Sequence, residues 1–327
     1  MTILVTGATG FLGSALVTQL LKQGQQIRIL ARDTQKATAQ FGHAVTIIQG
    51  EITDRQQVRQ AVESVTVIYH LAGRLYHPAV PGALYRQTHV EGTRMLLVAC
   101  QGQRQLRRIV HCSTTGVYGV TGDMPADENA PFAPTNPYEA TKLEGELLAL
   151  KAYQEHNLPI SIVRPGLVYG PGDLHLLGFF AAVKKGLFRV IQGGTALLHP
   201  VYIDDMIRAF QLCAERPEAI GRSYNIAGER PVTVRELATA IAHTLHRELP
   251  GGSIPLWLAN VAADMFSLLP GFQGERAPLT RSRIAFLTKS RSYLIARAER
   301  EIGYIPEVGL EEGIKRTAFW YQKHGYL

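Results

Sequence analysis

Short apolar runs alternate with amphipathic segments through the first half of the chain, and this alternation constrains the fold most. The apolar runs that we predict as strands are residues 3–6, 27–31, 45–49, 65–70, 108–112 and 160–163. Helices are predicted between them, near residues 12–23, 54–63, 83–101 and 137–156. This order favours a parallel sheet that is covered by helices on both faces. Ligands of such sheets bind beyond the carboxyl ends of the strands.

The predicted fold class is therefore α/β, a doubly wound parallel sheet of the Rossmann type with a smaller, mostly helical C-terminal lobe. The chain has 327 residues, of which 46% are hydrophobic and 19% charged, a composition that supports a packed core and excludes a disordered chain. We place the first domain at residues 1–170 and the lobe at 171–327. The chain is expected to return to the sheet around 189–230.

Three cysteines, Cys100, Cys112 and Cys213, lie far apart in the sequence and form no Cys-x-x-Cys pair. Neither a disulfide framework nor a metal site is predicted from them. Idle thiols are typical of a reducing compartment, and the first predicted strand leaves no room for a signal peptide. Both observations predict a cytoplasmic protein.

The net charge is +7, from 34 basic and 27 acidic side chains. Basic residues are interleaved with apolar and acidic ones, and no nucleic-acid-binding motif accompanies them. We therefore interpret the charge as a solvated surface and predict no nucleic-acid partner.

A glycine-rich turn, TGATGFLG at residues 6–13, joins the first predicted strand to the first predicted helix. Glycines allow the tight turn and a close approach of the backbone to a pyrophosphate, which the N–H groups of the following helix attract. We predict a dinucleotide here. The turn residues predicted to contact it are Gly7, Thr9, Gly10, Phe11 and Leu12.

The end of the second predicted strand indicates which dinucleotide binds. Arg32 follows the strand, and an arginine can hold a 2′-phosphate through charge-assisted hydrogen bonds, which favours NADP. Asp33 follows immediately and would favour NAD if it reached the ribose, so NAD stays open. The loops after the next two strands add further predicted cofactor contacts, namely Glu51, Ile52, Leu71, Ala72 and Gly73.

A cluster of hydroxyl side chains at residues 113–115 follows the fifth predicted strand, and Tyr138 and Lys142 follow on one face of the next helix. A lysine ammonium favours a phenolate and is expected to lower the tyrosine pKa from about 10. The pair is typical of a general acid/base for a carbonyl or an alcohol. His70 is interpreted as a buried packing residue rather than as a catalyst.

Together these motifs resemble the extended branch of the short-chain dehydrogenase/reductase superfamily, as do the later stretches 164–172, 201–205 and 224–228. The resemblance implies hydride transfer at a nicotinamide, complete or as a half-reaction in epimerisation. It implies that Tyr138 is the acid/base and that Lys142 lowers its pKa and holds the nicotinamide ribose. It also implies that Thr114, or alternatively Ser113, bonds the substrate oxygen, and that Pro165 borders the nicotinamide.

Two departures from the family's pattern bear on the substrate. His89 stands where the family often has asparagine, so that polar role is either replaced or absent. Leu198 and His199 stand where nucleotide-sugar epimerases of the family often have arginine and aspartate. The second departure favours an apolar, uncharged carbonyl or secondary alcohol as substrate. The later stretches 254–269, 278–281 and 301–306 look like the hydroxysteroid-dehydrogenase and dihydroflavonol-reductase side of the branch.

Two other functions stay open. The first is a nucleotide-sugar epimerase or dehydratase, whose diphosphate would need a cation such as Arg276 or Arg281. The second is a cofactor-sensing protein without catalysis.

The apolar stretch 254–269 has one narrow polar face, at Asn260, Asp264 and Ser267. It is open to interpretation as a core helix, a lid over an apolar substrate, or a surface that contacts a membrane or a partner. A homodimer is expected only by analogy with similar folds.

Overall fold

A computed structural model describes residues 1–268 and 279–327. Its strands are β1 Thr2–Thr6, β2 Gln26–Ala31, β3 Val45–Gln49, β4 Val67–His70, β5 Arg108–Cys112, β6 Ile160–Pro165, β7 Leu167–Tyr169, β8 Leu197–Leu198, β9 Pro200–Tyr202, β10 Ser223–Ile226 and β11 Val232–Thr233. In the described part of the chain, seven of them form one sheet in the order β10-β6-β5-β4-β1-β2-β3. All the neighbours in that sheet are parallel. The predicted doubly wound α/β class is confirmed.

Helices cover both faces of the sheet and build most of the C-terminal part. They are α1 Phe11–Lys22, α2 Thr34–Phe41, α3 Arg55–Val62, α4 Gly82–Arg86, α5 Gly92–Cys100, α6 Pro137–His156, α7 Leu177–Lys184, α8 Ile203–Glu215, α9 Val234–Thr244, α10 Leu256–Leu268, α11 Arg281–Thr288, α12 Ala296–Ile302 and α13 Leu310–Lys323. The single helix predicted near 83–101 is instead α4 and α5, joined by one π-helical turn at Gln87–Glu91.

Alternate residues of each strand point to opposite faces, and the sequence of β1 shows why both faces are covered. Ile3 and Val5 pack in one hydrophobic core with Leu16 of α1. Leu4, between them, packs in the other core with Val58 of α3. A strand that is apolar on both faces must be buried on both, which accounts for the two helical layers.

The order of the strands reverses direction at β1, because β2 lies on one side of it and β4 on the other. At such a switch point the connections leave the two strands in opposite directions and open a crevice at their carboxyl ends. The glycine turn follows β1 and the segment beginning at Leu71 follows β4, so both border this crevice.

The C-terminal part contributes to the main sheet, because β10 pairs with β6 from Ser223 opposite Ile162 to Ile226 opposite Pro165. Two small sheets lie beside it, a parallel pair of β7 with β9 and an antiparallel pair of β8 with β11.

Helix α10 carries the apolar stretch of the sequence with its large side chains facing out. Ala259 and Ala263 are its buried residues, whereas Trp257, Met265 and Leu268 are 67%, 63% and 82% exposed. The core-helix interpretation is therefore wrong, since only small side chains are buried. Leu269, the last residue of the predicted segment, lies outside the described residues.

Within residues 1–268 and 279–327, no helix is both long enough and apolar enough to cross a membrane. The cytoplasmic location stays a prediction.

Candidate active site

The glycine turn forms a cradle at the carboxyl end of β1. Gly7 has φ +71°, and a Cβ there would lie 2.6 Å from the carbonyl oxygen of Leu71, while a Cβ on Gly13 would overlap the carbonyl of Gly7. Glycine is thus required at both positions. Gly10 is the N-cap of α1, and among the described residues no side chain accepts a capping hydrogen bond from the first helical turn. That turn contains no acidic residue. The uncapped N–H groups fit a pyrophosphate.

Hydrogen bonds tie the segment after β4 to the end of β1. The amide of Ala72 donates to Oγ1 of Thr6 (3.2 Å), and this hydroxyl bonds Nδ1 of His70 (2.8 Å). Nε2 of His70 bonds Oγ1 of Thr93 (3.0 Å), which itself donates to the carbonyl of His89. Because the Thr93 proton is used there, Nε2 of His70 carries the imidazole proton. His70 is a buried, hydrogen-bonded residue, as interpreted from the sequence.

Arg32 and Asp33, the two candidates for contact with the ribose, differ in the contacts that they make within the protein. Asp33 is the N-cap of α2, and its Oδ1 accepts from the amide of Lys36 (2.9 Å). Its carboxylate is therefore directed to the start of that helix, while Arg32 is exposed at the strand end.

The predicted contacts on the next loop are exposed or packed against helices. Glu51 is exposed, and its amide donates to the side chain of Gln57 (2.8 Å). Ile52 packs so closely on α5 that a Cβ on Gly92 would lie 2.7 Å from its side chain. The helix α5 is thereby held against the loop after β3.

Helix α6 brings Tyr138 to the hydroxyl cluster at the end of β5. The helix begins at Pro137 and is capped by Asn136. The Tyr138 phenol makes a hydrogen bond with the side chain of Thr114. Oγ1 of Thr114 also accepts from the amide of Gly116 (3.0 Å), so its own proton is available for the phenol oxygen. The structure thus brings together Thr114 and Tyr138.

The alternative hydroxyl, Ser113, points elsewhere. It donates to Oε2 of Glu146 (2.5 Å), a buried carboxylate that is also paired with Arg164. Thr115 donates to the carbonyl oxygen of Pro165 (2.9 Å) and fixes the end of β6 beside the cluster. Of the three hydroxyls, Thr114 is the one that contacts Tyr138.

Lys142 lies one turn along α6 and donates to the carbonyl oxygen of Cys112. Burial lowers the pKa of the Lys142 ammonium, an effect opposed by Cys112 and Glu146. Burial also raises the pKa of the Tyr138 phenol above its ordinary value, against the hydrogen bond from Thr114. The expectation of a tyrosine pKa lowered by Lys142 is wrong for this structure, because desolvation is the largest influence.

His89 makes hydrogen bonds at the position where the family often has asparagine. Its Nε2 accepts from the amide of Arg74 (3.0 Å), so Nδ1 carries the proton and bonds Oγ1 of Thr141 (2.9 Å). Its ring lies edge-on to Tyr138, with centroids 5.5 Å apart. Burial and the charge of Lys142 lower the pKa of His89 to about 2, so the ring is neutral. The sequence singled out His89 only as a departure from the family's pattern.

Arg74 was missed altogether by the sequence reasoning. It directly follows Gly73 and is half-buried on the segment between β4 and α4. The only signal in the sequence was a cationic residue at the end of a predicted cofactor loop.

Leu198, His199 and Arg281, which were considered for a sugar diphosphate, are each engaged in other contacts. Leu198 is buried in the core. Nε2 of His199 bonds the carbonyl of Gly228 (2.9 Å) and its Nδ1 accepts from the amide of Tyr293 (3.2 Å), while burial lowers its pKa to about 4. Arg281 is paired with Asp264, and Arg276 lies outside the described residues. In the described chain, no three His, Cys, Asp or Glu side chains are grouped to hold a metal ion.

Comparison with known proteins places this geometry in a family. A family model described as the NAD dependent epimerase/dehydratase family matches residues 3–227. The chain is 30% identical to a 3beta-hydroxysteroid-dehydrogenase/decarboxylase of Arabidopsis thaliana, over 96% of this chain and 78% of that protein. It is 31% identical to a 2-alkyl-3-oxoalkanoate reductase of Stenotrophomonas maltophilia, over 97% and 98%.

Solved structures share the whole fold. The crystal structure of gox2253 superposes with a TM-score of 0.82 at 27% identity, covering 100% of this chain and 99% of the other. A UDP-glucose 4-epimerase of Thermotoga maritima superposes with a TM-score of 0.80 at 22% identity over 99% of both chains, which shows the fold alone. From its motifs, its fold and these relatives, the chain belongs to the NAD-dependent epimerase/dehydratase family, the extended branch of the short-chain dehydrogenases/reductases.

Proposed function

We propose that the protein is an oxidoreductase that interconverts an apolar ketone and the corresponding secondary alcohol, with Tyr138 as the acid/base. In the oxidative direction the alcohol carbon loses a hydride and its oxygen loses a proton, which leaves the carbonyl. In the reductive direction both are added back. The dinucleotide, when bound, accepts or supplies the hydride.

The observation that carries this proposal is that Thr114 and Tyr138 meet at the carboxyl end of β5, at the same edge of the sheet as the glycine cradle. A substrate oxygen that bonds both hydroxyls would be held where Tyr138 can give or take its proton. Lys142, buried one helical turn away, donates to the carbonyl oxygen of Cys112 and so holds α6 against the end of β5. Because its pKa is raised, the Tyr138 phenol is protonated at neutral pH and can donate a proton, as the reduction of a ketone requires.

The names of the relatives support the same reaction. The proteins of Arabidopsis thaliana and Stenotrophomonas maltophilia are named as a hydroxysteroid dehydrogenase and an oxoalkanoate reductase, and a 28% identical protein of Stigmatella aurantiaca is named as a ketoreductase of a farnesyl dihydroquinoline oxide. Each name joins an alcohol or a carbonyl to an apolar body. We extend that substrate class, oxoalkanoates included, to this chain.

NADP is the cofactor that we propose, with NAD as the alternative. The support is local, because Arg32 is exposed at the end of β2 while the carboxylate of Asp33 caps α2. An exposed guanidinium at this position can bind a 2′-phosphate. The residues that would hold the rest of the dinucleotide are those of the glycine turn, with Leu71, Ala72, Lys142 and Pro165 toward the nicotinamide.

Replacing Tyr138 with phenylalanine tests the proposal. We expect kcat for ketone reduction to fall at least about 100-fold, because the proton donor is lost, while the Kd of the dinucleotide stays within about twofold. Tyr153→Phe makes the same change near the other end of α6 and serves as the matched control. A fully active Tyr138→Phe enzyme would remove the assigned role. Failure of the unaltered protein to turn over any ketone or alcohol, with cofactor bound, would favour a cofactor sensor instead.

A further inference from the structure

The segment after β4 holds the backbone of Arg74 against His89, whose ring packs on Tyr138. The backbone amide of Arg74 donates to Nε2 of His89 (3.0 Å), and the same ring packs edge-on to Tyr138 with centroids 5.5 Å apart. Nδ1 of His89 bonds Thr141, the neighbour of Lys142. A single imidazole therefore fixes Arg74 in position relative to the proposed acid/base. Since the bond comes from the amide, the side chain of Arg74 is not consumed by it.

The guanidinium of Arg74 lacks the partner that neighbouring arginines have. Its Nε is buried and has no hydrogen-bond acceptor in residues 1–268 and 279–327, and Arg74 forms no ion pair within that part of the chain. By contrast, Arg86 of α4 pairs with Glu144, and Arg291 pairs with Glu139 at the start of α6. A buried guanidinium N–H without an acceptor is unfavourable, and an anion would satisfy it.

The surroundings of Arg74 carry an excess of positive charge. The charges of Lys142 and Arg74 both lower the pKa of His89, which shows that the guanidinium lies within electrostatic reach of that ring. Burial also keeps His70 and His111 neutral, so these two side chains do not add to the positive charge and do not offset it. Two cations close to one neutral ring attract an anionic group.

We propose that Arg74 binds a carboxylate of the substrate close to the reacting carbon, and that the substrates are 3-oxo acids and 3-hydroxy acids with an apolar chain. This assignment rests on the function proposed above and narrows its substrate class. The planar fork of a guanidinium matches a carboxylate in two hydrogen bonds. Because His89 joins the backbone of Arg74 to Tyr138, we expect the acid group to lie near the carbonyl.

A phosphate group is the less suitable anion here. The dinucleotide pyrophosphate is expected at the uncapped start of α1, on the glycine turn, rather than beside Tyr138. A sugar diphosphate would need further cations, and His199 is buried, neutral and bonded at both ring nitrogens. The uncharged substrate expected from Leu198 and His199 is thereby revised to one with a single carboxylate at one end.

Oxidation of 3-hydroxydodecanoate and of its methyl ester tests the assignment, because the 3-hydroxy acid does not lose carbon dioxide as a 3-oxo acid does. We expect Arg74→Gln to lower kcat/KM for the acid about 50-fold, because it removes one partner of a charge pair that forms when the acid binds. The value of kcat/KM for the ester should stay within about twofold, because the ester has no charge to pair. Arg74→Lys should retain more activity with the acid, since it keeps the charge. Arg94→Gln, at a surface arginine paired with Glu91, is the matched control and should change neither substrate.

Binding gives a second readout that does not need turnover. Calorimetric titration of the cofactor-loaded protein with 3-hydroxydodecanoate should show a Kd about 50-fold weaker in Arg74→Gln, with the Kd of the dinucleotide unchanged. Equal losses for acid and ester, a weakened dinucleotide, or equal affinity of the unaltered protein for acid and ester would each overturn the role of Arg74. If neutral ketones are turned over in that case, the proposed function survives. Tight, Arg74-dependent binding of the acid without any turnover would refute the proposed function alone.

Discussion

Three neutral buried histidines should make this protein sensitive to acid; His70 and His111 lie toward the carboxyl ends of β4 and β5, and His89 lies on the π-helical turn. His70, His89 and His111 are only 2%, 2% and 3% exposed. Burial and the Lys142 charge lower the pKa of His70 to about 3 and that of His89 to about 2, and burial lowers that of His111 well below its ordinary value of 6.5. In the unfolded chain all three titrate near 6.5. The unfolded state therefore binds more protons below that pH.

The sign and size of the effect follow from this difference. A lowered folded-state pKa means that stability is fully present above pH 6.5 and is lost as the pH falls toward the folded-state value. The loss is ~1.4 kcal/mol per histidine for each pH unit below 6.5, or about 2 kcal/mol each at pH 5. The three rings stay neutral in the folded protein and titrate independently when unfolded, so their losses add to about 6 kcal/mol. Domains have total stabilities of about 5–15 kcal/mol, so this loss decides whether the fold survives.

Urea unfolding at pH 8, 7, 6 and 5, at constant ionic strength, measures this loss directly. His111→Leu should reduce the loss between pH 7 and 5 by about 2 kcal/mol, because one titrating group is gone. At pH 8 it should change the free energy of unfolding by less than about 1 kcal/mol, because Nε2 of His111 has no hydrogen-bond partner in the described chain. His243→Gln, at an exposed histidine of α9, should leave the pH dependence unaltered. A free energy of unfolding that is flat between pH 7 and 5 would refute the reasoning, as would an unchanged slope in His111→Leu.

Substitutions at two further positions test the cofactor site and the role of His89. Arg32→Ala should weaken NADP about 30-fold and NAD less than about threefold, because only the 2′-phosphate loses its charged partner; equal weakening in fluorescence titrations of the two cofactors would contradict the assignment. His89→Leu should lower the free energy of unfolding by about 2 kcal/mol, since the amide of Arg74 loses its acceptor. His89→Asn offers a carbonyl oxygen to the Arg74 amide, so it should recover part of the lost stability and should have a higher kcat than His89→Leu. If His89→Leu is as stable in urea as the unaltered protein, His89 does not position Arg74.

The sequence predicted best what is encoded locally. The i, i+4 spacing of Tyr138 and Lys142 and the glycine turn are local patterns, and helix Pro137–His156 was predicted at its observed limits. Asp33 shows the opposite case, because an acid after a strand suits either a ribose or a helix N-cap. Only the structure shows that it caps α2, a helix whose polar sequence gave no apolar period.

What the sequence could not predict depends on contacts between distant segments. The bond from Arg74 to His89 joins residues fifteen positions apart across a π-helical turn that no local pattern signals. The pKa of Tyr138 was expected to fall because Lys142 is near in sequence, yet burial by surrounding elements raises it. Desolvation depends on all the elements that surround the site, so it cannot be predicted from the sequence of one helix.

His89, one of the departures from the family's pattern, belongs to one physical arrangement with Arg74 and Tyr138. His89 has its Nε2 lone pair free to accept only because the ring is neutral, and the ring is neutral because it is buried next to Lys142. That neutral ring fixes the Arg74 amide, and Arg74 carries a positive charge that the neutral His199 does not. Protonating His89 would turn its acceptor into a donor facing the Arg74 amide. Because the pKa of His89 in the folded protein is about 2, this protonation does not occur between pH 8 and pH 6. The ratio of kcat/KM for the acid to kcat/KM for the ester should therefore stay constant over that range in the unaltered enzyme, and a decline toward pH 6 that is absent in Arg74→Gln would show that His89 is protonated in the folded protein.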